Sequence, residues 1–205
     1  MEGLKAKRGS NSKEVLRMKY VALFVILCVL IIFGCATTKK TEQIPPGAQK
    51  ICDAPIWNEG DTWKFIGGGD REWEEKIIVK NGKLQIKQTP KKEFLGFALG
   101  GLEMKGLFPL WIGKSWGGAP TLQTVWGHQF NYIVSLKIVN LINVQVEAGA
   151  FDCYKFGFRI FSGTEEGIAY FYYSKETKSI VKFETRSEML YKSENYELLS
   201  FRHSK

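Results

Sequence analysis

Every position from Val21 to Phe33 is apolar, and the stretch around it, Met18 to Thr38, opens on a basic residue and closes on small and polar ones. From Thr37 to Gln49 the chain is polar and carries Pro45-Pro46-Gly47, the pattern of a flexible tether stiffened at its prolines. Beyond Ile51 the pattern changes to short segments in which apolar and polar positions alternate, the period of a β-strand with one wet face. Trp57 to Phe65 reads as a turn and a first strand, with Trp63 and Phe65 on one face. Trp73–Lys80 and Lys83–Gln88 flank Asn81-Gly82, a pair suited to a type I′ hairpin because both residues tolerate positive φ. Strands are then expected over Tyr132–Leu141, Val144–Val146, Cys153–Phe161, Ile168–Tyr173, Ile180–Thr185 and Tyr196–Phe201, with a turn at Ala148-Gly149.

No part of the chain beyond residue 35 keeps a 3.6-residue period over three turns. Phe94 to Gly106 has apolar residues without a period, and Gly96, Gly100 and Gly101 oppose a stable helix. The predicted fold is mostly β: an antiparallel curved sheet or half-barrel with a short helical or irregular covering segment. Three regions follow: a leader over 1–34, an N-terminus and tether over 35–50, and one β-rich domain over 51–205.

A positive start, an apolar core and a small residue before a cut make up a secretory signal. Ile32-Phe33-Gly34-Cys35 resembles the lipobox of bacterial lipoproteins, which implies that Cys35 is acylated on sulfur and becomes the first residue of the mature chain. An uncleaved anchor is the competing reading, but a spanning helix needs about 20 apolar residues and this run is shorter. Under both readings the lysines and arginines that precede the run keep the N-terminus inside and export the rest. Residues 1–17 make the leader long, and Met18 would be a more ordinary start. The leader 1–34 holds six Lys and Arg against two Glu, a net of +4, so half of the chain's +8 belongs to it. The remainder is mildly basic without a Lys/Arg block, which argues against a nucleic-acid partner.

With Cys28 in the leader and Cys35 acylated, Cys52 and Cys153 remain, a possible disulfide in an oxidising compartment or two buried thiols. Gly113-Lys114-Ser115-Trp116-Gly117 matches G-x-S-x-G, with Asp152 and His203 following in the order of an α/β-hydrolase. The elbow needs a helix after the serine, and Gly118-Ala119-Pro120 cannot open one, so a serine hydrolase is only a remote alternative. Two histidines and no paired cysteines give no metal-ligand spacing, and no cofactor is implied. Glu74-Glu75 and Glu165-Glu166 read as solvated charge. Six Trp and fourteen Phe first of all supply a core. Alternatively Trp63, Phe156, Phe158, Tyr170 and Tyr172 line an apolar ligand cavity, with Phe94–Gly106 as a mobile cover.

Gly60-Asp61-Thr62-Trp63, Pro109-Leu110-Trp111-Ile112-Gly113-Lys114-Ser115-Trp116, Ala148-Gly149-Ala150-Phe151 and Tyr173-Ser174 together resemble a set of uncharacterised bacterial envelope lipoproteins. These are similar to the half-barrel lipoprotein carriers of the outer-membrane sorting pathway. Glu147 stands where a proline is usual, and Ala150 where a hydroxyl residue is usual. The resemblance implies a fold and an address: a lipoprotein at the outer membrane facing the periplasm. The resulting expectation is a non-enzymatic, membrane-anchored protein whose β domain binds an apolar ligand or an envelope protein. The alternative is a structural or assembly protein acting through protein contacts alone.

Overall fold

The Asn81-Gly82 turn takes φ values of 54° and 71°, the positive pair a type I′ hairpin requires. It joins β2 (Arg71–Lys80) to β3 (Lys83–Thr89), a ladder running from Glu74 opposite Thr89 to Lys80 opposite Lys83. A computed structural model describes residues 44–68, 70–90, 101–119, 121–123, 129–162, 165–186 and 195–204. The apolar run, Cys35 and most of the tether lie outside the described residues, as do residues 94–100 of the expected cover.

The other strands are β1 (Thr62–Gly67), β4 (Ser115–Gly118), β5 (Thr121–Gln123), β6 (Gln129–Val146), β7 (Gly149–Ser162), β8 (Glu165–Ser174), β9 (Ser179–Thr185) and β10 (Tyr196–Arg202). Nine form one antiparallel sheet in the order β3-β2-β1-β10-β9-β8-β7-β6-β4, and β5 pairs separately with β6. The meander β6 to β9 is the arrangement that short turns between alternating segments enforce, because antiparallel neighbours need only a tight turn, and β10 pairs next to β9. β10 then pairs with β1, bringing the two ends of the domain together. The sheet is open but strongly curved. The Ala148 N–H, at the β6–β7 turn, donates to the Leu198 carbonyl of β10 at 3.0 Å, although β7, β8 and β9 lie between β6 and β10.

Three irregularities accompany that curvature. Val139 in β6, Val181 in β9 and Leu199 in β10 are each one residue more than the partner strand matches. Such bulges bend a strand and increase its twist. Tyr132–Leu141 and Val144–Val146, expected as two strands, are one strand of 18 residues whose irregularity is that bulge. Gly117 and Gly118 end β4, which pairs with β6. The covering segment contains a 3-10 helix, Gly101–Leu107. Among the described residues no helix is long and apolar enough to cross a membrane.

Candidate functional site

Alternation and register place Trp63, Phe65, Trp73 and Ile77 of β1–β2 on the same face as Leu198, Phe183, Phe171, Phe158 and Phe156. All of these are buried. The rings make a continuous chain: Phe158–Phe171 at 6.3 Å, Phe171–Phe183 at 4.9 Å, Phe183–Tyr196 at 5.6 Å and Phe65–Tyr196 at 5.5 Å. This face is covered by the protein itself. Met104, Leu107 and Leu110 of the covering segment are buried to 1% exposure or less. Phe108 packs edge-on against Tyr173 at 5.4 Å and Trp57 against Phe108 at 6.2 Å. Cys52 and Leu110 exchange two backbone hydrogen bonds of 2.8 Å, so the N-terminal segment straps the cover down. Each buried Leu or Met side chain contributes about 1.5–3 kcal/mol.

Lys114 fastens the cover from the other side. Its ammonium is buried and donates to the carbonyls of Leu107 and Pro109, both at 2.9 Å. It also lies 4.3 Å from the Trp111 ring centre and 4.9 Å from that of Trp116, and Trp116 stacks on Phe156 of the sheet at 6.4 Å. A lysine is tolerated there because carbonyl oxygens and ring faces replace water around the charge. The lysine inside the G-x-S-x-G match therefore closes a turn.

Asp61 is the second junction. Its buried carboxylate accepts the N–H of Asn58 at 3.0 Å, the N–H of Ser204 at 2.8 Å and the Ser204 hydroxyl at 3.1 Å. Lys178 Nζ lies 3.4 Å away and His203 Nδ1 3.7 Å away. Burial pushes the carboxyl pKa up, but the N–H donors of Asn58 and Ser204 and the Lys178 charge outweigh it, leaving the group below its ordinary value. The Trp57 and Trp63 indoles donate to the neighbouring carbonyls of Lys178 and Thr177, at 3.0 and 2.6 Å. One aspartate thus ties β1, the β8–β9 turn and the C-terminal segment together.

The five residues expected to line a cavity divide between two faces. Trp63, Phe156 and Phe158 are interior, but Tyr170 and Tyr172 alternate with Ala169, Phe171 and Tyr173 on β8 and point the other way. There Lys155 Nζ lies 4.1 Å from the Tyr170 ring and 5.8 Å from that of Tyr172, with the Arg186 guanidinium 5.1 Å from Tyr170. The Tyr172 hydroxyl donates to Glu184 at 2.8 Å, and Lys182 reaches the same carboxylate at 2.9 Å. Burial pushes the Tyr172 phenol up, and the Glu184 acceptor adds to it. The single cavity wall expected from five aromatics is therefore corrected to a packed core and a separate cation–aromatic ladder.

The cysteines also separate. Both Cys52 and Cys153 are buried free thiols. Tyr154 points toward the N-terminal segment, donating to the Lys50 carbonyl at 2.7 Å, so its neighbour Cys153 faces away from the segment that carries Cys52. Burial pushes the Cys153 thiol up to about 12 and raises Cys52 as well. The possible Cys52–Cys153 bridge is thus not formed. Ser115 begins β4, Asp152 accepts from Asn143 at 3.2 Å on β7, and His203 Nε2 lies 2.9 Å from the Glu176 carbonyl. The hydrolase order in sequence meets a histidine whose ring nitrogens already face Asp61 and the Glu176 carbonyl. Of the acidic pairs, Glu166 is exposed beside Arg159 at 3.7 Å, but Glu75 is not solvated. It sits on the interior face at 2% exposure, accepting from Gln88 at 2.9 Å. Among the described residues no group of three His, Cys, Asp or Glu is placed to hold a metal.

A shallow, mixed polar dish of about 540 Å³ opens beside the β6–β7 and β8–β9 turns, lined by Asn143, Ala150, Asp152, Ser174, Lys175 and Glu176. No protein-family model matches the chain, and no curated protein does. Two crystal structures are similar. One is described as a candidate lipoprotein from Parabacteroides distasonis, with 11% identity, a TM-score of 0.37, and 75% of this chain and 100% of that chain covered. The other is described as a candidate exported protein with YmcC-like fold from Bacteroides fragilis, with 12% identity, a TM-score of 0.32, and coverages of 74% and 99%.

Proposed function

We propose that this chain is a cell-envelope lipoprotein, held at the outer membrane through an acylated Cys35 and facing the periplasm, whose β domain binds an envelope protein and catalyses nothing. The observation that carries the contact reading is the filled interior face: Met104, Leu107 and Leu110 occupy the space in which a half-barrel carrier would hold its cargo. What is left for recognition is the outer surface and the rim. Photo-crosslinking from exposed positions of the full chain in growing cells is expected to trap one discrete protein partner. Trapping none in any growth condition refutes the reading. Labelled fatty acid should enter the protein and be lost in Cys35→Ser, and incorporation that survives the substitution refutes the anchor. Ser115→Ala should leave any esterase activity unchanged.

A second reading, favoured by one observation, is an apolar ligand that replaces the cover. Among the described residues the Tyr173 hydroxyl, buried where the sheet meets Phe108 of the cover, has no hydrogen-bond partner. A ligand with one polar group and an apolar tail would satisfy that hydroxyl. Lipid co-purifying with Cys35→Ser, and lost when the cover is held shut by a disulfide engineered into it, supports this reading over the first.

A further inference from the structure

We propose that the outer face of the β2–β3 hairpin docks on a phospholipid leaflet carrying anionic headgroups. The register puts Lys76 opposite Lys87 and Lys80 opposite Lys83, all four exposed and on the face away from Trp73 and Ile77. The Lys76–Lys87 row continues across β1 through Thr62 to the exposed Arg202 of β10. Like charges directly across a ladder repel and destabilise it. Among the described residues none of the four lysines has a carboxylate within ion-pair distance. The acidic groups nearby are Glu74, opposite Lys64 and Thr89, and Glu59, whose carboxylate caps the Val79 N–H at 3.3 Å. They leave the tip strongly positive.

Lysines on an edge strand deter edge-to-edge pairing, which accounts for Lys83 and Lys87 on β3. It does not account for Lys76, where β2 is paired with both Thr62 of β1 and Lys87 of β3. On the reverse face of the same tip Val79 and Leu84 stand opposite each other, 46% and 38% exposed. These two point away from the lysines, so the contact of the outer face with the headgroups is carried by charge.

The occupant follows from charge and from chain length, and it rests on the anchored-lipoprotein reading. Ile44, where the described chain begins, is nine residues from Cys35, at most about 30 Å of extended chain. An acylated Cys35 therefore keeps the domain within reach of the leaflet, so a contact too weak to recruit free protein is populated by effective concentration. Each lysine near an anionic surface multiplies the docked population about fivefold, an effect lost within a Debye length and with added salt.

The test uses the full acylated protein in vesicles, with a fluorophore on Gln85→Cys, an exposed position between the two lysine pairs. Vesicles of phosphatidylcholine alone are compared with vesicles that also contain phosphatidylglycerol, both carrying a headgroup nitroxide quencher. Quenching is expected to rise at least twofold with phosphatidylglycerol, and to fall back in high salt and in Lys80→Glu/Lys83→Glu. Equal quenching in both vesicles, with the protein floating with them, refutes the docking alone. Failure to float refutes the anchor and the docking with it. A label shielded equally in vesicles and in detergent refutes the leaflet as occupant in favour of a protein or a second copy of the chain.

Discussion

Replacing Asp61 with alanine tests whether one carboxylate holds the two ends of the domain and the β8–β9 turn together. The substitution strands the Asn58 and Ser204 N–H groups and the Lys178 ammonium. A hydrogen bond to a charged group contributes about 1.5–3 kcal/mol. The donors here are only partly buried and water takes up some of the loss, so the low end applies to each. Lys178 keeps about a fifth of its surface in solvent, and its ion pair adds under about 1 kcal/mol. The expected total is about 2–4 kcal/mol, a large share of a domain stability of about 5–15 kcal/mol. For a domain of this size Tm falls by roughly 5–15 °C.

The same carboxylate sets a pH dependence. Its pKa is lower in the folded chain than in the unfolded one, so its contribution is fully present above the unfolded value of about 3.9 and is lost as pH falls through the folded value. Urea unfolding followed by tryptophan fluorescence at neutral pH and below about pH 4 should show the gap between wild type and Asp61→Ala closing in acid. Asp61→Asn, which keeps the shape and loses the charge, should fall between the two. Asp152→Ala, at an exposed site, should stay within about 0.5 kcal/mol of wild type. If Asp61→Ala also stays within that margin, or if its deficit is the same at every pH, the junction is not a source of stability.

Three further outcomes are expected. Lys114→Met keeps the length of the side chain but leaves the Leu107 and Pro109 carbonyls unpaired, and should cost about 2–4 kcal/mol in denaturant unfolding; a neutral result removes the clamp. Tyr173→Phe deletes a buried hydroxyl that has no partner among the described residues and should be neutral or stabilising by up to about 1 kcal/mol in the same assay; a loss larger than that shows that the hydroxyl is satisfied by a bound molecule. With burial raising both thiols, Cys153 to about 12, neither Cys52 nor Cys153 should react with a maleimide near pH 8 until the chain unfolds; labelling faster than unfolding contradicts their burial.

The hairpin at Asn81-Gly82 and the strand spans from Cys153 onward were legible because they depend on neighbours in sequence. Turn chemistry acts over two residues and side-chain alternation over four to eight. The bulge at Val139 was not legible: a residue inserted into a ladder leaves no local mark, and the structure merges two expected strands into one. Glu75 reads as solvated because the Glu74-Glu75 pair lies at an expected strand end, with nothing in the sequence pattern to raise a pKa. Alternation along β2 turns one outward and the other onto the interior face, where Gln88 of β3 receives it.

The sequence by itself determined strand type, which follows from local period and composition. Only the tertiary structure decided which residues meet. Tyr170 and Tyr172 share their spacing with Phe156 and Phe158, but parity on one strand is fixed relative to the next only by register, and register put them on opposite faces. Trp63 finds its acceptor on Thr177, and Asp61 its partners on Lys178 and Ser204, each more than a hundred residues away. Those contacts exist because β10 closes onto β1, a pairing that depends on the curvature of the whole sheet and on no local pattern.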